Sequence, residues 1–132
     1  MAVLSVRILL LVRAYLRSQR QLNNKNESGT TMKTALILTT INVPKVLALY
    51  RKLGPDVAFF VAIDKNTPHD AINFCQYDIP NCTVLFIEDQ QQWKCSELLG
   101  WNNDSRRNLA LLEAVKCGAD VIVSIDDDMI PM

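Results

Sequence analysis

A run of residues that is apolar at every position constrains the fold of this chain more than any other feature. Residues 57–63 read VAFFVAI. A continuous apolar run of this length predicts a strand that is buried on both faces. Such strands belong to sheets that carry helices on both sides. The run therefore favours an α/β fold.

Around this run the sequence alternates strand and helix patterns. The alternation predicts one α/β domain over residues 32–132, with a mainly parallel sheet and flanking helices. Residues 90–99 fit neither pattern. Strands are predicted at residues 34–40, 57–63, 83–87 and 121–125, and helices after residue 42, at residues 70–75 and at residues 105–116.

Two of the predicted helices have an apolar face. Asn42 is the expected N-cap of the first helix, which Gly54 ends, and Gly118 is expected to end the last helix. The residues expected to face the core are Val46, Leu47, Tyr50 and Leu53 in the first helix, and Leu109, Leu111, Leu112 and Val115 in the last.

The strongest chemical signal is the triplet Asp126, Asp127 and Asp128, which directly follows the last predicted strand. Three adjacent carboxylates repel one another, so their charge at the end of an apolar strand calls for compensation. A divalent cation provides it, and hard oxygen ligands suit Mg²⁺ or Mn²⁺ together with substrate phosphates. The alternative is an acidic turn that faces water.

Polar residues also follow two of the other predicted strands. Thr39 and Thr40 end the first strand, and Asp64 follows the second. Ligands of parallel sheets bind beyond the carboxyl ends of the strands, so these residues and the aspartate triplet are expected at one edge. The alternative is local: threonines suit strand ends, and aspartate is favoured in a turn such as Asp-Lys-Asn-Thr-Pro.

Two arginines, Arg106 and Arg107, open the helix that precedes the last strand. Cations at a helix N-terminus are disfavoured by up to about 1 kcal/mol, so the pair indicates a nearby anion such as a phosphate. The alternative is that one arginine pairs with Asp104 or with the triplet while the other points to solvent. The two interpretations stand level for Arg106. The phosphate is favoured for Arg107 by a family resemblance.

Three segments together resemble nucleotide-sugar glycosyltransferases of the GT-A fold. They are LILTTIN, VAIDKNTP and GWNNDSRRNLALLEAVKCGADVIVSIDDD, the last ending on an Asp-x-Asp motif. The resemblance is strongest to STELLO-type glycosyltransferase-like proteins and more distant to reversibly glycosylated polypeptides, which are UDP-arabinopyranose mutases. It covers residues 34–130. The specific part is the order of Trp101, Asn102, Arg107, Asn108, Gly118 and Ala119 before the acidic motif.

The resemblance implies a role for each matching residue but names no catalytic one. Thr39 and Thr40 would border the nucleotide, and Asp64 would accept hydrogen bonds from the base or ribose. Arg107 and Asn108 would face the nucleotide or diphosphate of a UDP-sugar. The implied nucleotide-binding residues are Thr39, Thr40, Asp64, Arg107, Asn108, Asp126 and Asp127, and the implied ligands of Mn²⁺ or Mg²⁺ are Asp128 and Asp126.

The expected function is metal-dependent binding of a nucleotide-sugar donor as part of a glycosyltransferase. The chain stops four residues past the acidic motif, whereas a GT-A enzyme continues into an acceptor-binding half. The expectation is therefore a donor-binding half, either a fragment or a truncated gene product, and enzymatic turnover stays undecided. The alternative is a non-catalytic nucleotide-binding or protein-interaction module derived from such an enzyme.

Residues 1–31 are expected to form a basic helix and a polar linker. They carry a net charge of +4, whereas residues 32–132 carry −4. The acidic body excludes a general nucleic-acid-binding surface there. The longest uncharged apolar stretch, Ile8 to Val12, is too short to span a bilayer. Peripheral membrane contact through residues 2–17 fits the arginine-rich segment, and a surface helix or a poorly ordered extension is the alternative.

The cysteines and the Asn-x-Ser/Thr glycosylation triplets indicate in which cellular compartment the protein lies. No cysteine forms a CxxC pair, so a zinc site is not expected, and free thiols are favoured over the three pairings that remain open. A glycan on Asn103 would obstruct the proposed site, so we expect a cytoplasmic location with the Golgi lumen as the alternative. The cysteines are Cys75, Cys82, Cys95 and Cys117, and the triplets begin at Asn26, Asn81 and Asn103.

Overall fold

The structure is a computed structural model that describes residues 31–131. The predicted basic helix, the membrane contact through residues 2–17 and nearly all of the linker lie outside the described residues. Within residues 31–131, no helix is both long enough and apolar enough to cross a membrane.

The four predicted strands all form, and they pair in parallel in one sheet. The sheet has the order β3-β2-β1-β4, so the first strand of the chain lies in the middle. This arrangement confirms the predicted parallel α/β sheet. The strands are β1 (Thr34–Thr40), β2 (Ala58–Ile63), β3 (Cys82–Leu85) and β4 (Val121–Ser124).

The helices differ from the sequence prediction mainly at their ends. In the segment 90–99, which fits neither pattern, residues 91–99 form turns. Asn42 does not cap the first helix, because Lys45 precedes it without a side-chain cap. The helical elements are α1 (Val46–Leu53), α2 (His69–Asn73) with a π-helical turn (Phe74–Asp78), α3 (Ile87–Gln90), and a 3₁₀ turn (Asp104–Arg106) that leads into α4 (Arg107–Lys116).

Both faces of the sheet are covered, as the all-apolar β2 run predicts. Alternate residues of a strand point to opposite faces, so each strand contributes to two cores. One core packs against α1 and the π-helical turn, and the other packs against α4. Their buried strand residues are Leu36, Leu38, Phe59, Val61, Ile63 and Val84 on the first side, and Ala35, Ile37, Phe60, Ala62 and Leu85 on the second.

The buried face of α4 agrees only in part with the predicted one, since Leu111 and Leu112 pack against the core but are only partly buried. Leu109 is buried as expected, but Val115 is 58% exposed. Two alanines, Ala110 and Ala114, are fully buried in its place. Small residues let the helix backbone approach the sheet closely, so packing distance overrides side-chain hydrophobicity here. Ala110 and Ala114 lie four residues apart on one side of the helix, and Arg106, four residues before Ala110, lies on the same buried side.

Candidate functional site

A polar cavity of about 330 Å³ lies at the carboxyl edge of the sheet. The ends of β1, β2 and β4 meet there, which confirms that the threonines, Asp64 and the aspartate triplet lie at one edge. The lining residues are Thr39, Thr40, Ile41, Asn42, Asp64, Asn102, Asn103, Asp104, Asp126, Asp127 and Asp128.

The three aspartates of the triplet have different surroundings. The Asp126 carboxylate forms an ion pair with Arg107, with 2.6 Å between Oδ1 and Nη1. Asp127 turns toward the end of β1, where its Oδ2 is 2.7 Å from the Thr40 hydroxyl. Asp128 is exposed and lines the cavity. The repulsion within the triplet is thus relieved partly by one arginine and partly by a hydroxyl donor.

The two threonines that end β1 have opposite surroundings. The Thr39 hydroxyl donates to the Ala62 carbonyl at 2.7 Å, which ties β1 to β2. The Thr40 oxygen accepts from the backbone N–H of Asn42 at 3.0 Å, and its proton is directed to Asp127 or to the Asn42 carbonyl. Both hydroxyls are therefore already hydrogen-bonded within the protein, and both residues line the cavity.

The Asp64 carboxylate organises the loop on the other side of the cavity. It is 3% exposed. Oδ1 accepts from the backbone N–H groups of Lys65 at 2.7 Å and Asn102 at 2.9 Å. Oδ2 accepts from Asn103 N–H at 3.2 Å. Three of its roughly four acceptor positions are thereby filled by the protein.

Arg106 has a position that the sequence did not predict. Its side chain is fully buried, so it neither points to solvent nor pairs with Asp104 or the triplet. Its guanidinium donates to the Gln90 side-chain oxygen, to the Ser96 carbonyl at 2.6 Å and to the Gly100 carbonyl at 3.1 Å. It also stacks on the Trp101 ring, 3.7 Å from the centroid.

The charge of Arg106 is held mainly by neutral acceptors. Burial lowers the pKa of this guanidinium, and the nearby Asp64 carboxylate partly offsets that shift. The same side chain joins the turns at residues 91–99 to α4. Arg106 therefore supports the cavity wall from behind and does not bind ligand in it.

Arg107 is the arginine that pairs with the triplet. The prediction that Arg107 faces the nucleotide or diphosphate must account for this pair, because its Nη1 already donates to Asp126 Oδ1 at 2.6 Å. The guanidinium retains further N–H donors. Asn108 is exposed on α4 and is not among the residues that line the cavity.

The loop at Trp101 to Asn103 is a part of the site to which the sequence analysis gave no ligand-binding role. The Trp101 ring contacts two cations, Arg106 and Lys65, and the Lys65 Nζ is 4.7 Å from the ring centroid. Asn102 has a positive φ of 58°, a conformation that asparagine adopts more readily than most residues. The Asn-Asn pair after Gly100 is the sequence signal for this turn.

Two carboxylates of the cavity have the oxygen chemistry that a divalent cation shared with a ligand would require. Among residues 31–131, no three His, Cys, Asp or Glu side chains converge into a ready-made metal site. Mg²⁺ commonly takes only one or two protein carboxylates and completes its shell with water and substrate phosphates. Asp128 and Asp126 supply the right oxygen chemistry for such a shared ion.

Comparison of the chain with protein-family models finds no match, and comparison with curated proteins finds no significant one.

Proposed function

We propose that the cavity at the carboxyl edge binds a nucleotide-sugar donor, with a UDP-sugar as the expected ligand and Mn²⁺ or Mg²⁺ as the shared ion. The observation that carries the proposal is the convergence of Asp64, the aspartate triplet and the end of β1 on one polar cavity. Ligand binding beyond the carboxyl ends of parallel strands is the general rule for open α/β sheets. The resemblance to GT-A glycosyltransferases adds the class of ligand.

In this proposal each side of the cavity has its own task. Asp128 and Asp126 would hold the ion that offsets the diphosphate charge. Arg107, positioned by Asp126, would supply further positive charge where a nucleoside diphosphate departs. Asp64 has one acceptor position left after its three backbone hydrogen bonds, which suits a single ribose hydroxyl or base N–H.

The proposal requires that metal and nucleotide bind with positive coupling. The triplet repels a diphosphate unless a cation lies between them. Coupling between two ligands is typically about 1–3 kcal/mol, or roughly 5- to 150-fold in affinity. We therefore expect UDP to bind the full chain more tightly in Mn²⁺ than in chelator by a factor in this range.

Isothermal calorimetry with UDP, in Mn²⁺ and in chelator, tests the proposal. Asp128→Asn should remove most of the metal dependence, because it neutralises a proposed ligand while keeping its shape. Asp78→Asn is the matched control, since Asp78 is an exposed carboxylate on the π-helical turn, outside the cavity lining. The proposal would be refuted if UDP bound equally well in Mn²⁺ and in chelator. It would also be refuted if UDP failed to bind a chain that circular dichroism shows to be folded.

A further inference from the structure

A second cavity, of about 470 Å³, lies at the opposite edge of the sheet from the candidate nucleotide site. It lies between the amino ends of β1 and β2 and the end of α4, and we call it the amino-edge cavity. Most of its lining is apolar, and part of this lining is open to solvent, since Leu53 and Ala58 are only half-buried. The apolar residues that line it include Ala35, Leu53, Val57, Ala58, Phe60 and Ala114.

The lining of the amino-edge cavity suits an apolar occupant. Among the described residues that line it, the charged ones are Lys33 and Asp56, and both are exposed. The cavity at the carboxyl edge, in contrast, is lined by five aspartates. Burial of apolar side chains is favourable roughly in proportion to the area that it removes from water. The amino-edge cavity therefore suits apolar side chains better than a nucleotide or a metal ion.

The chain enters the described domain at this same cavity. Thr31 to Thr34 line it, so the chain before residue 31 starts at the cavity itself. Two hydrogen bonds fix this entry point. The Lys33 N–H donates to the Asp120 carboxylate at 2.7 Å, and the Asp120 N–H donates to the Lys33 carbonyl at 2.8 Å. The first 30 residues are thus tethered beside the cavity, and tethering raises the effective concentration of a segment at its site.

The tethered segment has the length and the composition to fill the cavity. Residues 23–30 contain no large apolar side chain. When extended they span at most about 28 Å, which exceeds the diameter of a helix with its side chains, about 10–12 Å. Residues 2–16 can therefore reach the cavity, and 12 of these 15 residues are apolar.

The spacing within residues 2–16 selects one side for docking. In a helix, four large apolar residues would share one side, and three arginines would lie on the opposite side. The net charge of +4 on residues 1–31 also attracts the segment to the domain, since residues 32–132 carry −4. The apolar residues are Leu4, Ile8, Leu11 and Tyr15, and the arginines are Arg13, Arg17 and Arg20.

We propose that residues 2–16 dock in the amino-edge cavity of their own chain, with Leu4, Ile8 and Leu11 directed into it and the arginines directed away from it. Docking and the expected membrane contact use the same apolar side chains, so the two compete. The docked segment lies at the opposite edge from the candidate nucleotide site, and it does not depend on the proposed function.

Nuclear magnetic resonance of the isotopically labelled full chain tests the proposal on the wild type. We expect nuclear Overhauser contacts between the methyl groups of Ile8 or Leu11 and those of Ala58 and Ala119, which line the cavity. The contacts should persist on dilution, because the segment and the cavity belong to one chain. Their absence would overturn the proposal, and so would their loss on dilution, which is the result expected for the segment of a second copy.

Two triple variants provide a matched comparison. The first replaces three apolar residues on the docking side, and the second replaces three on the arginine side. The first should shift the amide signals of Ala58 and Ala119, because the cavity loses its occupant, whereas the second should shift them much less. Equal shifts in the two variants, or none in either, would refute the docking side. The first variant is Leu4→Ser, Ile8→Ser and Leu11→Ser, and the second is Val6→Ser, Leu9→Ser and Leu10→Ser.

Vesicles of phosphatidylcholine and phosphatidylserine distinguish docking from membrane contact. We expect most of the wild-type chain to stay unbound, with cavity signals that differ from those of the first variant. A wild-type chain that binds the vesicles while its cavity signals match those of the first variant would assign residues 2–16 to a membrane surface and overturn the proposal. The Overhauser contacts of the wild type need no variant, so they test the proposal even if a variant fails to fold.

Discussion

Neutralising Asp64 tests whether this carboxylate holds the loop that lines the cavity. In Asp64→Asn the side chain keeps its shape, so Oδ1 still faces the N–H groups of Lys65 and Asn102. The amide nitrogen replaces Oδ2 and confronts the N–H of Asn103, so two donors meet. The variant therefore loses one hydrogen bond and weakens two.

The size of the effect follows from the type of bond. Hydrogen bonds to a charged group contribute about 1.5–3 kcal/mol each, and those between neutral groups about 0.5–1.5 kcal/mol. One lost bond, at about 2 kcal/mol, and two bonds each weakened by about 1 kcal/mol make a loss of about 4 kcal/mol in the free energy of unfolding. For a domain of this size each kcal/mol corresponds to a shift of roughly 4–8 °C in Tm.

Urea denaturation monitored by circular dichroism measures this loss. Asp78→Asn is the control, because its carboxylate is exposed, and substitutions of that kind are usually within about 0.5 kcal/mol of wild type. If Asp64→Asn unfolds within about 1 kcal/mol of the wild type, the carboxylate does not hold the loop and the reasoning is wrong.

Two further predictions concern the arginines and the pH dependence of stability. Arg106→Lys should lower the free energy of unfolding, measured by urea denaturation, by about 3 kcal/mol, because several buried acceptors lose their donors. Arg107→Lys changes a partly exposed ion pair and should lower it by no more than about 1 kcal/mol. Equal losses in the two variants would contradict the burial of Arg106. Burial raises the pKa of Tyr50, so above about pH 10 the unfolded chain loses a proton that the folded chain keeps, and stability falls as pH rises. In Tyr50→Phe the urea midpoint should therefore fall less with rising pH than in the wild type. An equal fall in both proteins would contradict this role of Tyr50.

The sheet could be predicted from the sequence because its signals are local. The all-apolar run of β2 requires cover on both faces, and β4 runs directly into the aspartate triplet. Parallel pairing then brings the carboxyl ends of the strands to one edge. The location of the candidate site followed from these two facts alone.

The surroundings of the site residues could not be predicted because they depend on distant segments. The acceptors that bury Arg106 come from Gln90, Ser96 and Gly100, in or beside a segment without periodicity. Two of the three partners of the Asp64 carboxylate are backbone N–H groups nearly forty residues away, at Asn102 and Asn103. On α4, close packing against the sheet selected Ala110 and Ala114 over Val115. Tertiary contacts override local preference at each of these positions.

The most direct test of the central claim is to locate the bound ion on the protein. Mn²⁺ is paramagnetic and broadens the NMR signals of nearby amides. When it is added with UDP to the isotopically labelled full chain, the broadened signals therefore show where the ion binds. We predict the strongest broadening at Asp126 to Asp128, Asn42 and Asn102, around the cavity, and the weakest at Gly54 and Cys117, which line a separate cavity at the amino ends of β1 and β2. Broadening centred on residues away from the carboxyl edge, or none beyond that of a chelated control, would contradict the account.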